Sequence, residues 1–260
     1  MTTQTRFRIF YIDPIDATNN LMNFREPGAA ITTEKTATLN VGARTHTDLA
    51  TEIERALNDA GEFTYTVTFN RSTRTFTITG SATFELLASS GTNVGLSPYS
   101  LIGFTTDQTG STSYEGTASG NSYVSQFKPQ QFLSFDNNLE LTEASLNKAA
   151  QGTIIETVTF GETNFMEFNL PFITSLPKTK GNAVLNNPTG LEDARQLLEF
   201  LIRKRTVEFM IDESNVSSFD KILLESSPES RQGISYRLKE QIDEGFEEHY
   251  ETGRLKFRRV

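Results

Sequence analysis

The chain contains no cysteine and no tryptophan, and its only histidines are His46 and His249 among 260 residues. Without cysteine it forms no disulfide, carries no thiolate nucleophile and holds no cysteine-ligated metal. No apolar run approaches the ~20 residues of a membrane-spanning helix. The segment from Met1 to Arg6 lacks the apolar core of a secretory signal. We therefore expect a protein that folds in a cytoplasm and has no membrane span.

Charge and aromatic content narrow the function classes further. The net charge is −9, which argues against direct nucleic-acid binding because such binding neutralises phosphates with Lys and Arg. Phenylalanine is abundant, with 20 residues. Phe fills cores and interfaces without needing a hydrogen-bond partner. This composition favours packing between subunits over catalysis.

Threonine divides the chain into two parts, with 25 threonines in residues 1–125 and 10 in residues 126–260. Thr is β-branched and favours strands. The segment from Thr105 to Ser125 is rich in Thr, Ser, Gly and Asn, which predicts a loop or linker. We place a domain boundary near Ser122, between domain 1–122 and domain 123–260. The predicted fold class is α+β and mostly β.

The first domain is predicted to be a small Thr-rich α+β module with the order β–β–α–β–β–β. Its helix should start at the capping pattern Thr45–Asp48 and end near Gly61. Its clearest strand is Phe63–Phe69, in which aromatic or aliphatic residues alternate with threonine. The other predicted strands are Arg6–Ile12, Lys35–Val41, Arg74–Thr79 and Phe84–Leu87, followed by an apolar anchor at Leu101–Phe104.

The second domain is predicted to be a β-sandwich or curled sheet with one packed helix. Thr153–Phe160 and Asn164–Phe172 predict a hairpin around Gly161. A capping box at Thr189 and an apolar stripe predict a helix over residues 190–204. Val207, Phe209 and Ile211 alternate as in a half-buried strand. The remaining predictions are a short helix at Phe219–Leu224 and closing strands at Ile234–Ile242 and Arg254–Val260.

The two histidines occur in no recognisable catalytic pattern. His46 lies inside the helix-capping sequence and no Gly-x-Ser-x-Gly elbow accompanies it, so we expect a solvent-exposed residue. His249 stands beside Glu248 and near Glu251, but adjacent residues on a strand point to opposite faces. A zinc site normally needs three or four convergent ligands, so we expect a solvated acidic loop there.

The carboxylates and glycines give no stronger signal. Asp13, Asp16 and Asp193 are isolated in sequence. A glycosidase pair needs only proximity in space, although the absence of tryptophan disfavours a sugar-binding platform. Gly91–Gly95 lacks the Lys-Ser/Thr of a phosphate-binding loop. We predict no catalytic residue, no metal and no cofactor, and hence no enzyme.

Basic residues are concentrated at two places and form the candidate contact site. One group follows the predicted helix, where the macrodipole favours cations. The other group closes the chain, directly after six acids between Glu240 and Glu251. Such segregated charge suits a head-to-tail contact between identical subunits, and closed heterologous contacts make rings. The predicted interface residues are Arg203, Lys204, Arg205, Arg254, Lys256, Arg258 and Arg259.

Residues 19–116 contain six short pieces that form one pattern, in which a strand-turn-strand follows a short helix and ends in a Leu-Gly-Phe-like anchor. The pieces are Asn20–Phe24, Ala37–Leu39, Leu49–Asn58, Tyr65–Asn70, Arg74–Thr79 and Leu101–Phe104. This pattern resembles an accessory module of structural proteins from tailed phages and some large DNA viruses. The resemblance implies attachment or assembly and transfers no catalytic residue.

Residues 126–260 resemble the sheet-plus-helix domains of distal tail and minor tail proteins. The matching pieces are the hairpin through Gly161, the helix Leu191–Lys204 running into strand Val207–Ile211, and the final Leu255–Phe257. The resemblance implies a virion protein, assembled in the host cytoplasm, that forms a ring, with a hexamer expected, and contacts other tail proteins. Extra domains of that family usually come later in the chain, whereas here the module comes first.

Three other functions stay open at this point. A host-receptor or carbohydrate-binding module would use the polar loops at Ser89–Ser97 and Thr105–Ser122, because loops on rigid scaffolds often bind ligands. A capsid decoration or head-to-tail connector protein would share the same composition. A cell-wall hydrolase would need a carboxylate pair that the sequence does not reveal.

Overall fold

The computed structural model describes residues 7–124, 136–148, 154–169, 197, 200–203, 205–226, 237–240, 249–251 and 254–260. Within these residues the protein is mostly β with one long helix, which confirms the predicted α+β, mostly β class. No helix in the described ranges is long and apolar enough to cross a membrane. The chain forms two compact units. The first unit comprises Ile9–Ser122 and Asn215–Phe219, and the second comprises Met1–Arg8, Tyr123–Ser214 and Asp220–Val260.

The first unit is built on a five-stranded sheet with the order β3-β2-β5-β4, in which β6 also pairs with β5. The neighbouring strands are antiparallel. Strands β1 and β7 each contain a boundary between the two units. The elements are β1 (Arg8–Tyr11), β2 (Leu21–Arg25), β3 (Lys35–Thr38), α1 (His46–Ala60), β4 (Tyr65–Asn70), β5 (Thr75–Leu86), a 3-10 turn (Val94–Leu96), β6 (Gln108–Glu115) and β7 (Asn121–Val124).

The threonine-alternating strand forms as predicted. In β4, Tyr65 and Val67 are buried, whereas Thr66 and Thr68 are exposed. Successive side chains of a strand point to opposite faces of the sheet, so the apolar residues reach the core while the threonines contact water. Opposite Val67 lies Ile78 of β5, which is also buried.

The predicted capping pattern starts helix α1. The Thr45 hydroxyl oxygen accepts a hydrogen bond from the Asp48 amide at 3.3 Å. Leu49, Ile53 and Leu57 are all buried, because residues three and four apart share one helix face. At the other end, the Gly61 amide donates to the Leu57 carbonyl with a φ of −90°, so Gly61 does not use the left-handed conformation available to glycine.

Polar side chains of α1 close the edge of the neighbouring strand β4. Asn58 accepts from the Tyr65 amide at 2.7 Å and donates to the Tyr65 carbonyl at 3.0 Å. Glu54 accepts from the Val67 amide at 2.9 Å. Unpaired backbone groups at a sheet edge are a template for unwanted strand pairing. The helix therefore covers the apolar face of the sheet and also satisfies the backbone of its edge strand.

Three secondary-structure predictions for the first unit are wrong. The polar segment Thr105–Ser125 is not a loop, because it contains β6 and the start of β7. Its Ser and Thr residues pair through their backbone with β5, and Tyr114 supplies a buried ring opposite Ile78. Phe84–Leu86 is the end of the long strand β5 and not a separate strand. The predicted order also omitted β2.

The second unit contains a sheet in which β10, β11, β14, β9 and β8 are neighbours in that order. These neighbours are antiparallel. A separate two-stranded sheet is formed by β12 and β13. The elements are β8 (Asp136–Lys148), β9 (Ile154–Asn169), β10 (Val207–Met210), β11 (Asp220–Ser226), β12 (Arg237–Glu240), β13 (His249–Glu251) and β14 (Arg254–Arg259).

Two local predictions in the second unit are wrong. Gly161 does not turn the chain, because β9 runs through it without interruption and Gly161 lies opposite Glu143 of β8. Phe219–Leu224 is not a short helix, because Asp220–Ser226 forms β11 with Ile222 and Leu224 buried. In both cases pairing with a distant strand overrides the local signal.

Strand β14 forms where apolar alternation predicted it, and β12 lies within the predicted Ile234–Ile242. Strand β10 forms within the predicted segment, but the predicted half-buried alternation is wrong there, because Glu208 and Met210 are buried as well and Ile211 is exposed outside the strand. From the predicted helix 190–204, Leu197 and Phe200–Ile202 are helical, and Leu197 is buried. The other residues of that helix, apart from Arg203, lie outside the described ranges.

Candidate functional site

Strand β14 carries the C-terminal group of predicted interface residues. Leu255 and Phe257 are fully buried, so they define the core face of the strand. Lys256 is partly exposed and Arg258 is exposed. They belong to the face opposite the core face, because successive side chains of a strand point to opposite faces. Arg254 occupies the next position in the same alternation, and its side chain lies outside the described part. The result is a row of basic positions along one strand face, here called the β14 basic row (Arg254, Lys256 and Arg258).

An aromatic ring supports the β14 basic row. Phe165 of β9 lies opposite Arg258 in the pairing of β9 with β14. The Lys256 Nζ atom lies 3.8 Å from the centroid of the Phe165 ring, and the Arg258 guanidinium carbon lies 5.9 Å from it. Cations within about 6 Å of a ring centroid are attracted by its quadrupole. Phe165 therefore holds both cations over the sheet, where they remain accessible.

Acidic residues of β11 contact the two terminal arginines. An Arg258 guanidinium nitrogen lies 2.8 Å from a Glu225 carboxylate oxygen, and one from Arg259 lies 3.2 Å from Asp220. All four side chains are at least 31% exposed. Exposed ion pairs contribute at most about 1 kcal/mol. These pairs therefore orient the arginines more than they stabilise the fold, and a partner's carboxylate could compete for them.

The other predicted basic group follows the helix of the second unit. Arg203 is exposed. The Arg205 guanidinium carbon lies 5.0 Å from the centroid of the Phe200 ring. Lys204 lies outside the described residues. Both basic groups thus contain a cation supported by a phenylalanine, which the sequence prediction did not include.

The β12–β13 hairpin carries charges of both signs, because β12 contains Arg237, Lys239 and Glu240 and β13 contains Glu251. Glu240 lies opposite His249, and Glu251 lies opposite Arg237. His249 belongs to a strand, so its prediction as part of a loop is wrong for residues 249–251. Within the described ranges, no three His, Asp or Glu residues are grouped to hold a metal ion. The described hairpin strands are thus balanced in charge, and the other acids of the run from Glu240 to Glu251 lie outside the described residues.

The prediction for His46 is also wrong, because this residue is buried and not solvent-exposed. It is the first residue of α1 and is 0% exposed. Its ring stacks on Phe69 with centroids 4.5 Å apart. Local sequence placed His46 correctly at the helix start, but burial there depends on rings that come from other strands.

The predicted ligand-binding loops have their own internal supports. The amides of Ser89 and Ser90 donate to the Asp107 carboxylate. The Thr92 amide donates to Glu34 at 2.8 Å. Hydrogen bonds from these loops thus return to the first unit itself.

No protein-family model matches the chain, and no curated protein matches it significantly.

Proposed function

We propose that this chain is a structural virion protein that forms a ring in a phage tail or baseplate, in the manner of a distal tail protein. The observation that carries the self-assembly is the β14 basic row. It lies on a strand paired on both sides, so its cations are displayed at fixed spacings on a rigid element. The virion location is supported by the resemblance of residues 19–116 to an accessory module of virion structural proteins, and the tail location by the resemblance of residues 126–260 to distal tail and minor tail proteins.

Charge segregation supports a head-to-tail contact between copies. The basic row and the β12–β13 hairpin, whose sequence contains the six acids from Glu240 to Glu251, lie on separate sheets of the second unit. When the basic row of one copy contacts the hairpin of the next copy, two different surfaces are joined. Repeated contacts of this heterologous kind close into a ring when the rotation between neighbouring copies permits it. Complementary charge supplies orientation and association rate. Apolar contacts supply the remaining stability, since standard interfaces bury about 1,600 Å² in total.

Charge reversal tests the contact. We expect the wild-type protein to form a closed oligomer at low salt and high concentration. Lys256→Glu and Glu251→Lys should each weaken association about 10-fold to 100-fold, because like charges then face each other. Sedimentation velocity measures the loss. Arg25→Glu on β2 makes the same change of net charge as Lys256→Glu and should assemble normally.

Mixing the two reversed variants gives the decisive comparison. The acidic row of Lys256→Glu complements the basic hairpin position of Glu251→Lys. The unchanged row of Glu251→Lys also complements the unchanged hairpin of Lys256→Glu. An equimolar mixture should therefore assemble as an alternating ring, visible in negative-stain images. A wild-type protein that stays monomeric, or a mixture that does not recover, would contradict the proposal.

A further inference from the structure

The buried imidazole of His46 lacks the hydrogen bonds that a buried polar ring normally makes. In the described part of the chain, neither Nδ1 nor Nε2 has a hydrogen-bond partner. The ring is enclosed by Phe69, by Phe76 at 6.2 Å and by Phe10 at 6.0 Å, measured between centroids. Buried polar atoms without partners are rare and costly. This arrangement therefore needs a physical explanation beyond core packing.

A short backbone segment covers the ring. Gly120 lies so close to His46 that a methyl group on Gly120 would overlap the Nε2 atom, and its φ is +64°. Glycine is needed here for both reasons. Gly120 belongs to the segment from Gly116 to Ser122, here called the crossing segment. The crossing segment ends at Ser122, after which the chain enters the second unit.

Hydrogen bonds to three neighbouring residues hold the crossing segment. Its amides donate to the carbonyls of Phe76 (from Gly116, 2.9 Å) and Gly103 (from Thr117, 2.8 Å). The Ser119 amide donates to the Arg74 carbonyl at 2.8 Å. An Arg74 guanidinium nitrogen donates to the Gly120 carbonyl at 3.3 Å. The Thr117 and Ser119 hydroxyls also donate to the Gly103 and Arg74 carbonyls, at 3.0 Å and 3.2 Å. The segment therefore opens only against the cost of these bonds, and protonation of His46 offsets part of that cost.

Two cations act on the His46 ring, Arg74 and Arg71, and both oppose a proton there. They belong to the turn between β4 and β5. The α1 N-terminus adds a positive dipole end. Asp48, on the same helix, is occupied as a hydrogen-bond acceptor of the Thr45 hydroxyl. Phe10 of β1, Phe76 of β5 and Gly120 of the crossing segment present no charge. Burial is the largest cause that lowers the pKa of His46, and the charges of Arg74 and Arg71 add to it; together they lower this pKa to about 3.

We propose that His46 is an acid-sensitive switch whose protonation displaces the crossing segment from α1 and loosens the chain where it leaves the first unit. An imidazolium that lacks hydrogen bonds cannot stay buried among phenylalanine rings under the influence of two arginines. The protonated ring must therefore reach water. Because the backbone of Gly120 covers its Nε2 atom, the ring reaches water only when Gly120 moves away. This switch is independent of the ring assembly proposed above.

The direction and size of the effect follow from linkage. The closed form keeps His46 neutral, with a pKa of about 3 against an ordinary value of 6.5. Closure is therefore fully favoured above pH 6.5 and weakens as pH falls from 6.5 towards 3. Between pH 7.5 and pH 4.5 the opening equilibrium of the crossing segment should rise on the order of 100-fold.

The cysteine-free sequence allows a direct test by thiol labelling. Ser119→Cys places a thiol at a site that is 6% exposed in the crossing segment. Its labelling by 4,4′-dithiodipyridine is compared with that of exposed Thr112→Cys at each pH. We expect the relative rate to rise on the order of 100-fold from pH 7.5 to pH 4.5. Ala37→Cys, fully buried on β3, should stay protected.

Non-titrating replacements of His46 decide the cause. With His46→Leu or His46→Gln, the acid-dependent rise in Ser119→Cys labelling should fall below about threefold, since the linked proton is gone. Two different side chains separate the loss of titration from a packing defect. An equal rise in both variants would overturn the proposal. Parallel labelling of Ala37→Cys would also overturn it, because the acid effect would then be global unfolding.

Discussion

Glu26→Gln is expected to lower the free energy of unfolding of the first unit by about 3–5 kcal/mol, because it breaks a buried ion pair on one side only. Glu26 is 0% exposed and follows β2. Equilibrium urea unfolding, followed by the helical circular dichroism of α1, measures the loss.

Glu26 is the centre of a network that joins three parts of the first unit. Its carboxylate accepts from Lys35 Nζ at 2.5 Å and from the Tyr65 hydroxyl at 2.8 Å. The amides of Glu62 and Phe63 donate to it at 2.9 Å each. Lys35 also contacts Glu62 at 2.9 Å. A glutamine amide would present N–H groups to these donors and leave some of them unsatisfied.

The same carboxylate makes stability depend on pH. Burial alone would raise the pKa of Glu26, but hydrogen bonds from Lys35, the Glu62 and Phe63 amides and Tyr65 outweigh it and hold that pKa below 4.5. Its contribution is therefore complete above pH 4.5 and is lost as pH falls through the lower, folded-state value. Glu26→Gln should flatten the stability profile below pH 4.5, whereas the His46 contribution stays in both proteins.

Glu85→Gln is the matched control for Glu26→Gln. Glu85 makes a loose pair with Arg25 at 3.9 Å, and both side chains are partly exposed. Removing an exposed pair costs at most about 1 kcal/mol. Similar losses from the two substitutions would contradict the central role of the buried network.

Gly103→Ala is expected to lower the free energy of unfolding by about 3 kcal/mol or more, the second large effect. Gly103 has a φ of +88°, and an added methyl group would overlap the Thr117 carbonyl oxygen. The backbone conformation costs about 1–2 kcal/mol for an L-residue, and forced overlap with packed atoms adds about 1–3 kcal/mol. Thermal and urea unfolding measure the sum.

Gly110 separates the two causes. It has a φ of +80°, but a methyl group there would meet nothing within 4 Å. Gly110→Ala should therefore show the conformational cost alone, about 1–2 kcal/mol. If Gly103→Ala is no worse than Gly110→Ala, the close approach of Thr117 does not matter and the prediction is wrong.

Local patterns in the sequence predicted those elements whose signals lie within a few residues. The capping pattern Thr45–Asp48, the alternation in β4 and the alternation of Leu255 and Phe257 in β14 all have this local character. The same alternation also predicts that Lys256 and Arg258 share the outer face of their strand. For these residues the preferred local conformation and the buried face agree, so tertiary structure did not have to override them.

Other features of the candidate site depend on partners that are distant in sequence. Phe165 supports the β14 basic row only because β9 pairs with β14 in one register. Glu225 reaches Arg258 for the same reason on the other side. A strand register is set by the packing of whole faces and by turn geometry, which no short segment specifies.

By itself, the amino-acid sequence determined the mostly β class, the capped helix α1, the apolar strand faces and the basic character of the chain end. Only the tertiary structure decided that β9 runs straight through Gly161, that a Ser/Thr-rich segment becomes strand β6, and that His46 and Glu26 are buried. The physical reason is that burial and strand pairing are properties of contacts between distant segments, whereas capping and alternation are properties of neighbouring residues.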